Sequence, residues 1–121
     1  MGQSLVSPSE LRASYSRKRT VPRYTFVAVT EIIENTSQAC SLGKTTKISS
    51  KGCYVETLKP LPVGTLLNMV ISREQGSFTT KGKVIYVLEG SGMGVVFIAP
   101  AADQLKTLRS WLSESSRTHV P

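Results

Sequence analysis

What most limits the folds open to this chain is the texture of residues 24 to 98. Short β-branched and aromatic runs follow one another, each closed off by turn formers, with no helical stretch between any two. "YTFVAVTEII" begins at Tyr24, and "ENTSQACSLGK" reads as a loop with Asn35, Ser37 and Gly43 as turn formers. "TTKIS" and "GCYVET" read as two short strands around "SKG". "LKPLPVG", with two prolines and a glycine, is a turn. "TLLNMVIS" alternates and sets Leu67, Met69 and Ile71 on one face. "GSFTTKGKVIYVLEG" is long and is expected to switch face near Gly82, as strands do at a barrel corner. The turn "EGSG" leads into a last strand, "GMGVVFI". Only after Pro100 does the period become helical. Leu105, Leu108 and Leu112 form a stripe there, with Trp111 at its edge and Asp103 in the first turn. Such a stripe is read as core before it is read as a docking face.

Strands without intervening helices exclude a doubly wound parallel sheet. They predict an all-β fold, a small six-stranded antiparallel β-barrel closed at one end by a single C-terminal α-helix. A chain of 121 residues has room for one modest core. The expected organisation is a flexible leader over 1–16, a barrel domain with its helix over 17–115, and a tail over 116–121.

Catalysis requires a constellation, and none can be assembled. The only histidine, His119, falls in the tail. The eight acidic residues are scattered without a close pair on one strand face. "GSGMG" precedes a strand, so it lacks the helix N-terminus of a phosphate loop. Cys40 and Cys53 are too far apart for CxxC chemistry and are read as reduced, buried or half-buried thiols of a cytoplasmic protein. No apolar run approaches the roughly 20 residues of a membrane span. The N-terminus has no secretory h-region, and Val6 occupies the place where a myristoylation pattern requires Ser or Thr. The expectation is a binding module, not an enzyme, with no metal and no cofactor.

Charge indicates what it binds. Fifteen Lys and Arg against eight Asp and Glu give a net +7, which calls for an acidic partner. The densest run, "RKRTVPR" from Arg17 to Arg23, stands directly before the first strand. Repulsion within it costs roughly a few tenths of a kcal/mol per close pair, so it is either a solvated tail or a seat for an anion. Lys81 and Lys83, alternating outward around Gly82, are a solvated strand face or an extension of that basic surface.

Arg19-Thr-Val-Pro-Arg23 fits RxxxR, and Lys47-Ile-Ser49-Ser-Lys-Gly52 lies some two dozen residues on, between two short strands. With "GMGVVF" and a closing helix, the region from Arg17 to about Glu114 resembles a PilZ domain, the bacterial receptor module for cyclic di-GMP. That family's signatures are RxxxR and [D/N]xSxxG, in this order. The resemblance implies that Arg19 and Arg23 contact phosphate and guanine, that Ser49 supplies a hydroxyl, and that Gly52 leaves room by lacking a Cβ. Arg17 and Lys18 would be auxiliary charges on a leader that orders over the ligand. One position departs: Lys47 stands where the family has Asp or Asn, and an ammonium has three donors and no acceptor for guanine's donor-rich edge. The expected partners are cyclic di-GMP and a protein. A second reading is a degenerate PilZ-like interaction module that does not bind the nucleotide because of Lys47. A third is a small basic barrel binding RNA or single-stranded DNA. It would need exposed aromatics, whereas Phe26, Phe78 and Phe97 lie in apolar strand contexts.

Overall fold

The computed structural model describes residues 21–74 and 76–118, with side chains as far as residue 116. Arg17, Lys18, Arg19, the expected leader and His119 lie outside the described residues. Six strands form a closed antiparallel barrel: β1 (Tyr24–Glu34), β2 (Cys40–Ile48), β3 (Gly52–Glu56), β4 (Leu66–Arg73), β5 (Gly76–Leu88) and β6 (Gly92–Ile98). They are hydrogen-bonded in the order β1-β2-β3-β6-β5-β4, with β4 returning to β1 to complete the ring. One helix, α1 (Ala102–Thr118), follows and packs against β5 and β1. The all-β barrel with its C-terminal helix is as the alternation of the sequence predicts.

Period-two alternation fills the interior. Phe26, Ala28, Thr30 and Ile32 point inward from β1, and Leu67, Met69 and Ile71 from β4. Phe78 meets Phe97 edge-on at 5.0 Å between centroids. Trp111 of α1 rests 5.1 Å from Phe26, with Leu108 buried one turn before it. The leucine–tryptophan stripe is therefore core, and it stoppers one end of the barrel. Gln104 Oε1 accepts the backbone N–H of Thr79 at 2.7 Å, tying the helix's first turns to β5. Two threonines inside the ring, Thr30 and Thr45, share a hydroxyl hydrogen bond of 2.7 Å, which offsets the cost of burying both.

Three details of the sequence reading need correction. The loop expected over "ENTSQACSLGK" is shorter, because β2 already begins at Cys40 and pairs Gly43 with Thr30 of β1. Gly43 serves that strand through its lack of a side chain: a Cβ would lie 2.7 Å from Val55 Cγ1. The switch of face in β5 does not fall at Gly82, which stays in phase between buried Thr80 and Val84. It falls at Ile85, where the β5–β6 register slips between Val84 and Tyr86. Finally, Cys40 is exposed rather than buried or half-buried, its thiol donating to Glu31 Oε2 at 3.4 Å. Cys53 is buried, and both are free thiols.

Candidate functional site

Register faults in the ladder build the site on the outer wall. In β2 the partners of β3 jump from Thr45↔Val55 to Lys47↔Tyr54, so Thr46 is an extra residue. Thr45 is buried, and strict alternation would carry Lys47 inward. The bulge reverses the phase at that point, leaving Lys47 exposed and sending Ile48 into the core. On the neighbouring strand Thr25 pairs with Lys47, which brings Arg23, two residues earlier, to the same corner.

The loop after β2 is held by one hydroxyl. Ser49 Oγ accepts the N–H of Lys51 at 3.1 Å and that of Gly52 at 3.2 Å, and it donates to Gly52 O at 3.3 Å. The backbone N–H of Ser49 also donates to Gly52 O, at 2.9 Å. Ser49 is buried, and its hydroxyl has one hydrogen and two lone pairs, all engaged within the turn. Its contribution here is the shape of the turn. Gly52 faces β6 at a distance that admits no Cβ, since an added carbon would run into the carbonyl oxygen of Val95. The space this glycine preserves is for the sheet.

Arg23, Lys47, Ser49 and Gly52 thus converge on one recess, whose far wall is Tyr54, Tyr86 and Gly94. Arg17, Lys18 and Arg19 lie outside the described residues. The two tyrosines escaped the sequence reading. Their rings stack at 6.2 Å between centroids and 21° between planes. Gly94 is the residue opposite both, and a Cβ there would strike the Tyr86 ring. Tyr54 Oη shares a 2.7 Å hydrogen bond with Ser91 Oγ, which fixes one ring. The legible signal was the Gly-Met-Gly alternation of β6, which leaves a bare strip on the outer face for rings to lie in. The recess itself holds only about 30 Å³, room for no more than a water or two. A larger ligand would lie over it, across the tyrosine pair and between the cations of Arg23 and Lys47.

Fold and site together define a small β-barrel carrying a basic, aromatic-edged recess on its outer wall. A family model for the PilZ domain matches residues 16–114, and the chain belongs to that family. Solved structures agree on the fold. The PilZ domain of Escherichia coli YcgR with c-di-GMP superposes with a TM-score of 0.67 at 15% identity, over 83% of this chain and 92% of that one. The Bacillus subtilis inhibitor of motility, MotI/DgrA, gives a TM-score of 0.69 at 18% identity over 84% of this chain. The K. pneumonia MrkH–c-di-GMP complex gives 0.67 at 22%, also over 84% of this chain. The chain spans about half the length of the last two, 53% and 56%. No curated protein matches the sequence. Among the described residues no helix is long and apolar enough to cross a membrane, and no cluster of His, Cys, Asp or Glu could hold a metal ion.

Proposed function

We propose that this PilZ domain is a cyclic di-GMP receptor that acts as an adaptor toward a protein partner in the bacterial cytoplasm, by binding rather than catalysis and without a cofactor. The observation that carries the reading is the convergence of Arg23, Lys47, Ser49 and Gly52 beside the Tyr54–Tyr86 pair. A cyclic dinucleotide is a dianion with two flat bases. Guanidinium groups offer planar, bidentate phosphate and guanine contacts, and stacked phenols offer a surface for a base. Arg23 supplies the first of these at the recess. Arg19, with Arg17 and Lys18 as auxiliary charges, would close over the ligand as the segment before β1 orders on binding. In this scheme Ser49 and Gly52 hold the turn against which the nucleotide rests. The domain acting as receptor runs over 17–115, between the leader and the tail.

Lys47 favours a second reading, a PilZ module that has lost its nucleotide and works through protein contacts alone. An exposed ammonium cannot accept from guanine, and loss of one such contact costs about 1–3 kcal/mol, or roughly 5- to 150-fold in affinity. It can instead meet a phosphate. Calorimetric titration with cyclic di-GMP decides between the readings. The receptor reading expects binding by the wild type, its abolition in Arg23→Ala, and tighter binding in Lys47→Asp. Absence of heat in the wild type with recovery in Lys47→Asp would identify a receptor disabled at one residue. Absence in both would leave the protein-contact module.

A further inference from the structure

Lys44 of β2 has an acid across from it, whereas the lysines on the wall formed by β4, β5 and β6 do not. On β2, Lys44 stands directly across from Glu56. On β5, Lys83 stands between Leu66 of β4 and Val96 of β6, and Lys81 between Asn68 and Ile98. Gly82 and Val84 point inward, so both lysines point out. Leu66 is 48% and Ile98 38% exposed, well above what a core-facing residue shows. None of these six outward positions carries a carboxylate. The result is two like charges one pleat apart, framed by aliphatic side chains that water covers at a cost.

The same wall is fastened to the ligand surface. The carbonyl of Lys51, in the turn held by Ser49, accepts the N–H of Phe97 at 2.8 Å. Gly52 pairs with Val96 and lies against its backbone. A ligand that shifted this turn would pull, through these links, on the stretch of β6 that carries Val96 and Ile98.

We propose that the outer face of β4–β5–β6 docks an acidic, aliphatic-bearing segment of a partner protein. This names the output surface of the adaptor described above and rests on that reading. Carboxylates would meet Lys81 and Lys83, and leucine or isoleucine side chains would cover Leu66, Val96 and Ile98. Nucleic acid fits this face less well. The lysines are interleaved with aliphatic groups rather than aligned along a phosphate path, and the nearest ring on this face, Tyr86, is seated over Gly94 and stacked on Tyr54.

The test is a display selection of random peptides against the full chain, with and without cyclic di-GMP. Selected peptides are then titrated into the wild type and into Lys81→Glu/Lys83→Glu. The proposal expects peptides rich in Asp or Glu and Leu or Ile. It expects their affinity to fall about tenfold or more in the double variant, with amide shifts centred on Lys81, Lys83, Val96 and Ile98. Peptides without acidic residues, or peptides that bind both proteins equally, overturn it. So does a labelled single-stranded oligonucleotide that binds the wild type and is lost in the double variant while no peptide is. The double variant must bind cyclic di-GMP as the wild type does. A wild type that binds the peptides but not the nucleotide sinks the receptor reading and leaves the docking face standing.

Discussion

Single residues show which parts of the site serve the sheet and which are left for a ligand. Gly52 and Gly94 both lack room for a Cβ, but for different reasons. At Gly52 the obstacle is the backbone of β6, and at Gly94 it is the end of a tyrosine side chain. Gly52→Ala is therefore expected to lose about 1–3 kcal/mol in urea unfolding. Gly94→Ala should cost less stability but push the Tyr86 ring off its seat, so the receptor reading expects its loss to appear in cyclic di-GMP affinity. Cys53 gives a pH signature. Burial pushes its thiol up to about 12 from an ordinary value of 9.0, and a hydrogen bond to Thr45 pulls the other way. Below pH 9 the thiol is neutral in both folded and unfolded chains. Above it only the unfolded chain gives up the proton, so stability is lost as pH rises from about 9 toward 12, by up to about 1.4 kcal/mol per pH unit. Urea midpoints at mildly and strongly alkaline pH should fall further for the wild type than for Cys53→Ala. Equal falls would assign the alkaline loss to other groups. Cys40 shifts the same way, chiefly through its hydrogen bond to Glu31, then through burial and the carboxylate's charge. It is exposed and carries no comparable stability.

At the level of elements, period and turn chemistry made six strands and a helix legible in the chain, and the same signals misled at two points. Gly43 looks like a turn former because glycine is cheap in turns; in fact a neighbouring valine occupies its side-chain space. The reversal in β5 was legible as an event but not in place, because a bulge is fixed by the pairing of two strands and neither strand announces it alone. This is why Tyr86 stayed hidden: alternation from Val84 would carry it inward, and the slip beside Ile85 brings its ring over Gly94. The motif marks Lys47, but its exposure depends on the extra residue Thr46. Helix α1 was the easiest element to read and offers a direct check. Leu108 is buried at the stopper, and Leu108→Ala should cost about 2–5 kcal/mol. Trp111 emission should shift to the red as its cover against Phe26 loosens. An unchanged urea midpoint would mean that the helix does not seal the barrel.

For the whole molecule, a net charge of +7 bears on association more than on fold. The screening length shrinks from about 10 Å at 0.1 M salt to about 3 Å at 1 M, so the receptor reading expects cyclic di-GMP affinity to fall several-fold across that range. Thermal stability, which rests on a core of aliphatic and aromatic side chains, should move far less. Parallel loss of both would mean that salt acts on the fold rather than on the ligand.

The return of β4 to β1 has a consequence for how such a unit can be used. An open sheet offers a row of unpaired amides at each border, and a stray extended peptide can add itself there. A ring with every strand paired on both sides offers no such border. The barrel can be spliced beside other modules or held at high concentration without inviting strand-by-strand growth. Its contacts with other molecules must then be made through side chains on its walls, where a single substitution can create or abolish them while the ring stays closed.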